Sequence, residues 1–314
     1  MPGAGVDTVG LVVPVGVLPR PRDGDVPVGG PRSVVDGRYV GGYRRRLPGG
    51  GFAVFGGFAG VWAEASLPKR VSGHNTEPVP YSWAPRVAGA MVEELGELGL
   101  LDGRSGEPYL TRVDAVRDFD VPAAVQPLLL QSLRMRRPAG RSRVKLFGDP
   151  ERSSAQTLTL WSGGRAGTLY DKGAESRGAV TDQLRFEARV RKDRLIGLGV
   201  STVASLGSAS VVADSVWEWL DFGAEVSVMD RVLAVIEAAT PEEMGLGKRS
   251  KAGLLAYCVR ISGGFGAGCG RTTEWKYRKA LIRLGLWPLV RDDIPAEPAG
   301  MSFRLDWETG ALAA

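Results

Sequence analysis

Four side chains able to do metal or nucleophilic chemistry fall on three segments that alternate as β-strands do. They are Asp114 and Asp118 in TRVDAVRDFD, Tyr170 in TLYDK, and Glu187 in QLRFEARV. Period 2 puts Arg112, Asp114, Val116 and Asp118 on one side of the first segment and Val113, Ala115 and Arg117 on the other. It gives the last segment an apolar face (Leu184, Phe186, Ala188, Val190) and a charged one (Arg185, Glu187, Arg189, Arg191). If the strands share a sheet, the acids and the tyrosine meet on one face. Carboxylates that converge without histidine or thiolate form a hard oxygen site, which suits Mg²⁺ or Mn²⁺, disfavours zinc and would act on a phosphate. The other reading is a solvated strand face on which arginines pair with carboxylates. Pattern alone leaves both open.

His74 is the single histidine, which excludes every two-histidine metal site. Its Ser-Gly-His-Asn context reads as a structural turn and has no Gly-x-Ser-x-Gly companion. The ISGGFGAGCG loop follows no strand of a βαβ unit and lacks the Lys-Ser/Thr of a phosphate loop, so it reads as a connection. Two basic stretches could neutralise phosphates. Arg134, Arg136, Arg137, Arg141, Arg143 and Lys145 form the first, which a solvated loop would also explain. In the second, Lys248 to Arg283, Trp275 and Tyr277 are interleaved with Lys276, Arg278 and Lys279, and Glu274 is the one acid. Such interleaving is expected where a helix meets DNA or bases stack, although Trp275 and Leu281 could equally be core.

The elements that must carry these residues change character along the chain. Twelve Gly and seven Pro in the first fifty residues argue for short extended pieces joined by turns, with strands at Val6 to Val13 and Tyr39 to Arg46. FAVFGGFAGVWAEAS reads as bent or bulged strands, and Val87, Met91, Leu95 and Leu98 mark one face of a helix. TLTLW and TLYDK, joined by SGGRAG, read as a hairpin. Beyond about residue 205 the period is helical, through VVADSVWEWLDF, VSVMDRVLAVIEAA with Pro241 as a stop, KAGLLAYCVRI and TTEWKYRKALIRLGLW. The expected class is therefore α+β. A mostly antiparallel sheet with flanking helices spans 1–205, a smaller helical region spans 206–290, and 291–314 forms a loosely packed acidic tail.

Composition agrees with a soluble globular chain of 314 residues, 44% hydrophobic and 24% charged, with a net charge of +5. Cys258 and Cys269 are too few for a disulfide framework and match no four-ligand zinc spacing. No run reaches the roughly 20 apolar residues that span a bilayer, and the start lacks a basic signal-peptide region, so the expectation is a cytoplasmic protein with no membrane partner.

The succession EASLPKRVSGHN, RVDAVRDFD, TLYDKGAES and LRFEARVRKDRL resembles the rolling-circle replication initiation proteins of phages and plasmids. The filamentous-phage gene II/X type and the related transfer-type plasmid initiators look most similar. The resemblance covers roughly residues 60 to 200, and Tyr-Asp-Lys-x-x-Glu followed by Leu-Arg-Phe-Glu is its most specific part. It implies an enzyme that cuts one strand of a double-stranded origin through a tyrosine, keeps the 5′ end as a phosphotyrosyl ester and leaves a 3′-OH for synthesis. Tyr170 would then be the nucleophile, and Lys172, expected on the same side of its strand, would stabilise phenolate or phosphate charge. Asp114 and Glu187 would hold Mg²⁺ or Mn²⁺, with Asp118 and Glu175 as further candidates. Arg185 and Arg189 would grip the phosphate, and Arg136, Arg137, Lys276, Arg278 and Lys279 would contact DNA. No Walker motif is present, so a host helicase and polymerase are expected partners beside double-stranded origin DNA and single-stranded DNA, and a homodimer is compatible with the pattern. The alternative from another class is a non-catalytic, sequence-specific DNA-binding regulator of a phage or plasmid.

Overall fold

Strand β1 (Ala4–Pro14) lies inside the sheet, its backbone paired antiparallel with the strand Gly60–Ser66 on one edge and Tyr109–Asp120 on the other and its Val9–Val13 run buried. The computed structural model describes residues 3–28, 34–35, 38–39, 42–56, 60–123, 126, 129–130, 133, 143–147, 157–221, 226–247, 250–262, 268–284, 286 and 302–313. The strands that follow β1 are β2 (Val26–Val28), a small separate pair β3 (Val34–Val35) and β4 (Arg38–Tyr39), β5 (Gly42–Arg46), β6 (Phe52–Phe55), β7 (Gly60–Ser66), β8 (Tyr109–Asp120), β9 (Arg143–Phe147), β10 (Thr157–Ser162), β11 (Arg165–Asp171) and β12 (Gln183–Arg191). Ten of them form one antiparallel sheet in the order β2-β5-β6-β7-β1-β8-β12-β11-β10-β9. With helices against this sheet and more helices toward the C-terminus, the fold is α+β, as expected.

One face of the sheet is apolar and buried: Val9, Leu11, Val113, Phe119, Leu184, Phe186 and Ala188 are all fully covered. Helices α1 (Leu67–Ser72) and α2 (Ala84–Glu97) pack beside β1, the latter burying Ala88, Met91 and Leu95. Each such large apolar side chain contributes about 1.5–3 kcal/mol when removed from water. Short helices α3 (Lys172–Glu175) and α4 (Lys192–Gly197) follow β11 and β12. The first long helix beyond residue 205, α5 (Ser210–Leu220), also lies on this face, packed on β8, β11 and β12 through Val212, Val216 and Leu220. Its close seat depends on Gly167, where a Cβ would fall 2.2 Å from Leu220 Cδ1.

Helices α6 (Val228–Ala238), α7 (Pro241–Met244), α8 (Ser250–Ser262) and α9 (Arg271–Leu284) complete the helical part. Pro241 starts α7 rather than only stopping α6: Thr240 caps it, accepting from the Glu243 backbone N–H at 3.2 Å while its own N–H donates to Glu243 Oε2 at 2.8 Å.

Residues 302–313 depart from the expected loose tail. Strands β14 (Ser302–Leu305) and β15 (Leu312–Ala313) form a small sheet with β13 (Val226–Ser227). Between them Trp307 stacks on Trp217 at 4.7 Å, meets the Phe119 and Phe186 rings, and donates Nε1–H to Asp214 at 2.9 Å. One aromatic anchor outweighs the acidic composition of the segment. No described helix is long and apolar enough to cross a membrane.

Candidate functional site

The opposite face of the sheet is polar at its centre, and pairing register decides who meets whom. Between β12 and β8, Arg189 pairs with Asp114, Glu187 with Val116 and Arg185 with Asp118. Between β11 and β12, Tyr170 pairs with Arg185 and Thr168 with Glu187. On the far side of β8, Thr8 of β1 pairs with Asp114, and a register shift between Val6 and Thr8 turns Asp7 out of the regular alternation.

Asp114 is 1% exposed and is gripped from both sides. Arg112 donates Nε–H to it at 2.8 Å and adds a second, shorter bond through Nη2; Arg189 donates through Nε at 3.1 Å and Nη2 at 3.0 Å. Arg112 also reaches Glu64 at 2.8 Å, and Arg189 reaches Glu187 at 2.9 Å. Burial alone would raise Asp114, but these two guanidinium groups hold its carboxyl below the usual carboxylate range. Glu187 receives the opposite treatment. Burial and the Asp114 charge push it up to about 8, with Arg189 opposing. Asp7 is also raised, chiefly by burial and then by Asp114. Its Oδ2 accepts from Thr8 Oγ1 at 2.9 Å, while its buried Oδ1 has no hydrogen-bond partner.

Tyr170 belongs to this network. Burial raises its phenol above the ordinary value, Glu187 and Asp7 raise it further, and Arg185 opposes them. Left to itself, such a phenol is a weak nucleophile. Lys172 stands near it, with Nζ 5.8 Å from the ring centroid, but not on the strand where the alternation puts it. Asp171 ends β11 and caps α3 by accepting from the Ala174 N–H at 3.0 Å. Lys172 is therefore a buried helical residue, ion-paired with Glu175 at 2.6 Å. Asn75 donates to the same Glu175 carboxylate at 3.2 Å, which ties the SGHN turn to the TLYDK segment.

Two expected roles need correction. Arg185, expected to grip phosphate, is fully buried. Its Nε and Nη2 bind Asp118 at 2.5 and 2.8 Å, and its remaining donors reach the carbonyls of Asn75 at 3.0 Å and Thr76 at 2.7 Å. Asp118, expected as a further metal ligand, spends both oxygens on that guanidinium. The turn bearing Asn75 and Thr76 sits close because Gly5 has no side chain: a Cβ there would lie 2.1 Å from the Val79 carbonyl oxygen. Lys276, Arg278 and Lys279 are exposed on α9 beside a 55% exposed Trp275, whose ring Lys279 covers at 4.0 Å, while Leu281 is core. Arg136 and Arg137 lie outside the described residues.

The structure thus brings Tyr170, Asp114, Glu187 and Arg189 into one electrostatic cluster, with Lys172 at its edge. The sequence reading missed Asp7 and Glu64 as members, and it put Arg112 on this face without giving it a role. The acids there, Asp114, Glu187 and Asp7 with its orphaned Oδ1, offer the oxygen donors that a hard divalent cation takes, but Arg112 and Arg189 engage both Asp114 oxygens, so an ion would have to displace a guanidinium. Among the described residues no three acidic, histidine or cysteine side chains are placed to enclose an ion by themselves.

No family model and no curated protein matches the chain. Among solved structures, it is similar to a rolling circle replication initiator protein from Geobacillus stearothermophilus. The likeness covers 76% of this chain and 85% of that one, at 13% identity and a TM-score of 0.39.

Proposed function

We propose that this chain is a replication initiator that nicks one strand of a double-stranded origin through Tyr170, leaving a 5′-phosphotyrosyl ester and a free 3′-OH for rolling-circle synthesis. The observation that carries the reading is that Tyr170, Asp114 and Glu187, from three separate sequence motifs, stand in one half-buried charge network on one sheet face. In the proposed step the phenolic oxygen attacks phosphorus, the bond from phosphorus to the 3′ oxygen breaks, and that oxygen leaves with a proton. The phenolic proton passes to Asp7 or Glu187 in its ionised form, each a stronger acceptor than an ordinary carboxylate because its pKa is raised, and the proton taken up by the leaving 3′ oxygen comes from water. Arg189 and Arg112 hold Asp114 ionised and offer positive charge to the non-bridging oxygens. Asp114 and Glu187 would hold Mg²⁺ or Mn²⁺ in exchange for a guanidinium on Asp114, and the ion would polarise the scissile phosphate and offset charge on the leaving oxygen. Arg185 and Asp118 act at a distance, by fixing the Asn75–Thr76 turn against the cluster. The phosphotyrosyl ester conserves the energy of the broken bond, so rejoining needs no nucleotide, and unwinding and synthesis fall to partner helicase and polymerase.

The test uses supercoiled DNA of the protein's own replicon with Mg²⁺. Glu187→Ala should abolish nicking and leave duplex binding nearly intact. Full activity of that variant, or of the wild type in excess chelator, would overturn the metal assignment. Sequence-specific binding without any cleavage by the wild type would favour the non-catalytic regulator.

A further inference from the structure

We propose that the cavity beside the acid and tyrosine cluster is a stacking site for unpaired nucleotides of the strand being cut. The inference deepens the nicking reading and rests on it for its biological meaning. The cavity holds about 540 Å³, within the range that accepts a nucleotide-sized ligand, and opens on the polar sheet face toward the β10–β11 hairpin. Thr159 and Trp161 of β10 line it, together with Lys145 and Phe147 of β9 and Arg189 and Arg191 of β12.

Charge and shape point to one occupant. Every charged side chain among the described residues lining the cavity is basic, which fits a polyanion. Phe147 is 46% exposed and Lys145 Nζ lies 4.3 Å from its ring centroid. An aromatic face beside a cation is what a base and its phosphate need together. A duplex keeps its base faces stacked inside the helix and cannot offer them to Trp161 or Phe147. An unpaired strand can. Arg189 joins the two sites, since the guanidinium that borders the cavity also bonds Asp114 and Glu187. Trp161 lies one strand over from Tyr170 and four residues along from Thr157, the cross-strand partner of Tyr170. That is a separation on the order of 14 Å by strand spacing and rise. A nucleotide stacked there would be near the scissile phosphate without being the one attacked.

The experiment measures fluorescence anisotropy of a labelled oligothymidylate, and of a duplex of the same length, with the wild type and with Trp161→Ala, Trp161→Phe and Lys145→Ala. Trp161→Ala should weaken single-strand binding by roughly 5- to 150-fold, the range for one lost stacked base, and leave duplex binding unchanged. Trp161→Phe should restore most of it, and Lys145→Ala should lower the salt slope for the single strand by about 0.7. Equal single-strand binding by wild type and Trp161→Ala would overturn the site, as would equal losses for single strand and duplex. Should Trp161→Ala not fold, an unchanged salt slope in Lys145→Ala would overturn it. Covalent adduct formation on replicon DNA is scored separately, so loss of the nicking reading and loss of the stacking site are distinguishable results.

Discussion

Two arginine–aspartate centres lie four residues apart on the same pair of strands, and they are built differently. Asp118 and Arg185 are closed: both are buried, the carboxylate has one bidentate partner, and the guanidinium finishes on the Asn75 and Thr76 carbonyls. Asp114 is shared by two arginines, a second acid with a raised pKa stands beside it, and Arg189 remains 42% exposed. A closed pair holds parts of the fold in place. Burial raises Asp118 too, so exposure and sharing rather than a displaced acid separate the two: an open cluster that reaches solvent through Arg189 can bind a cation or move a proton. On the sequence the two look alike, as alternating Arg and Asp.

The largest stability effect should come from breaking the closed pair. Arg185→Met leaves Asp118 buried without a counter-charge and frees the Asn75–Thr76 turn, so thermal or urea unfolding should report a loss of about 3–5 kcal/mol. Arg185→Met with Asp118→Leu should recover part of it but not all, because the two carbonyl contacts are still missing. A single variant as stable as wild type would show that the pair is not the clamp described.

The open cluster should respond in the opposite direction. Glu187 has an ordinary value of 4.5 and about 8 when folded. Between those values the unfolded chain gives up this proton and the folded chain keeps it, so stability is lost as pH rises through the window. Glu187→Gln cannot ionise. In metal-free buffer its Tm should therefore exceed that of the wild type by a few degrees at pH 8 and by less at pH 5, each 1 kcal/mol being worth roughly 2–4 °C. An identical difference at both pH values would contradict the shift.

Smaller still is the effect expected at the exposed basic helix α9, remote in sequence from both centres. Lys276→Glu and Lys279→Glu should each reduce the salt slope of origin binding by about 0.9 if that face lies on DNA phosphates. Unchanged slopes would remove α9 from the interface.

Period 2 made most of the sheet's polar face legible, because β8 and β12 keep strict alternation and so declare which residues share a side. Asp7 was hidden, since it sits where β1 shifts register and alternation stops being a guide. Lys172 was misplaced because Asp171 caps a helix one residue earlier than the strand pattern suggests; Asp followed three residues later by an alanine N–H donor and then Glu175 is a helix start that strand counting overlooks. The difference between the closed and open centres was not legible at all. It depends on which guanidinium finds backbone carbonyls from a distant turn, and that is a property of tertiary packing. Trp307 shows the same limit, since average acidity said nothing of one ring stacked on Trp217.

The central claim is that the open cluster serves a tyrosine nucleophile, and Tyr170→Phe tests it most directly. The substitution keeps the ring and its packing and removes only the oxygen. Wild type and variant are incubated with origin DNA labelled on the 3′ side of the nick, the fragment that carries the 5′ phosphate, and Mg²⁺, then denatured and resolved for label travelling with protein. The account predicts a folded, DNA-binding Phe variant that never carries label, whereas covalent attachment by that variant would show that another residue forms the bond and that the cluster around Asp114 and Glu187 does not serve Tyr170.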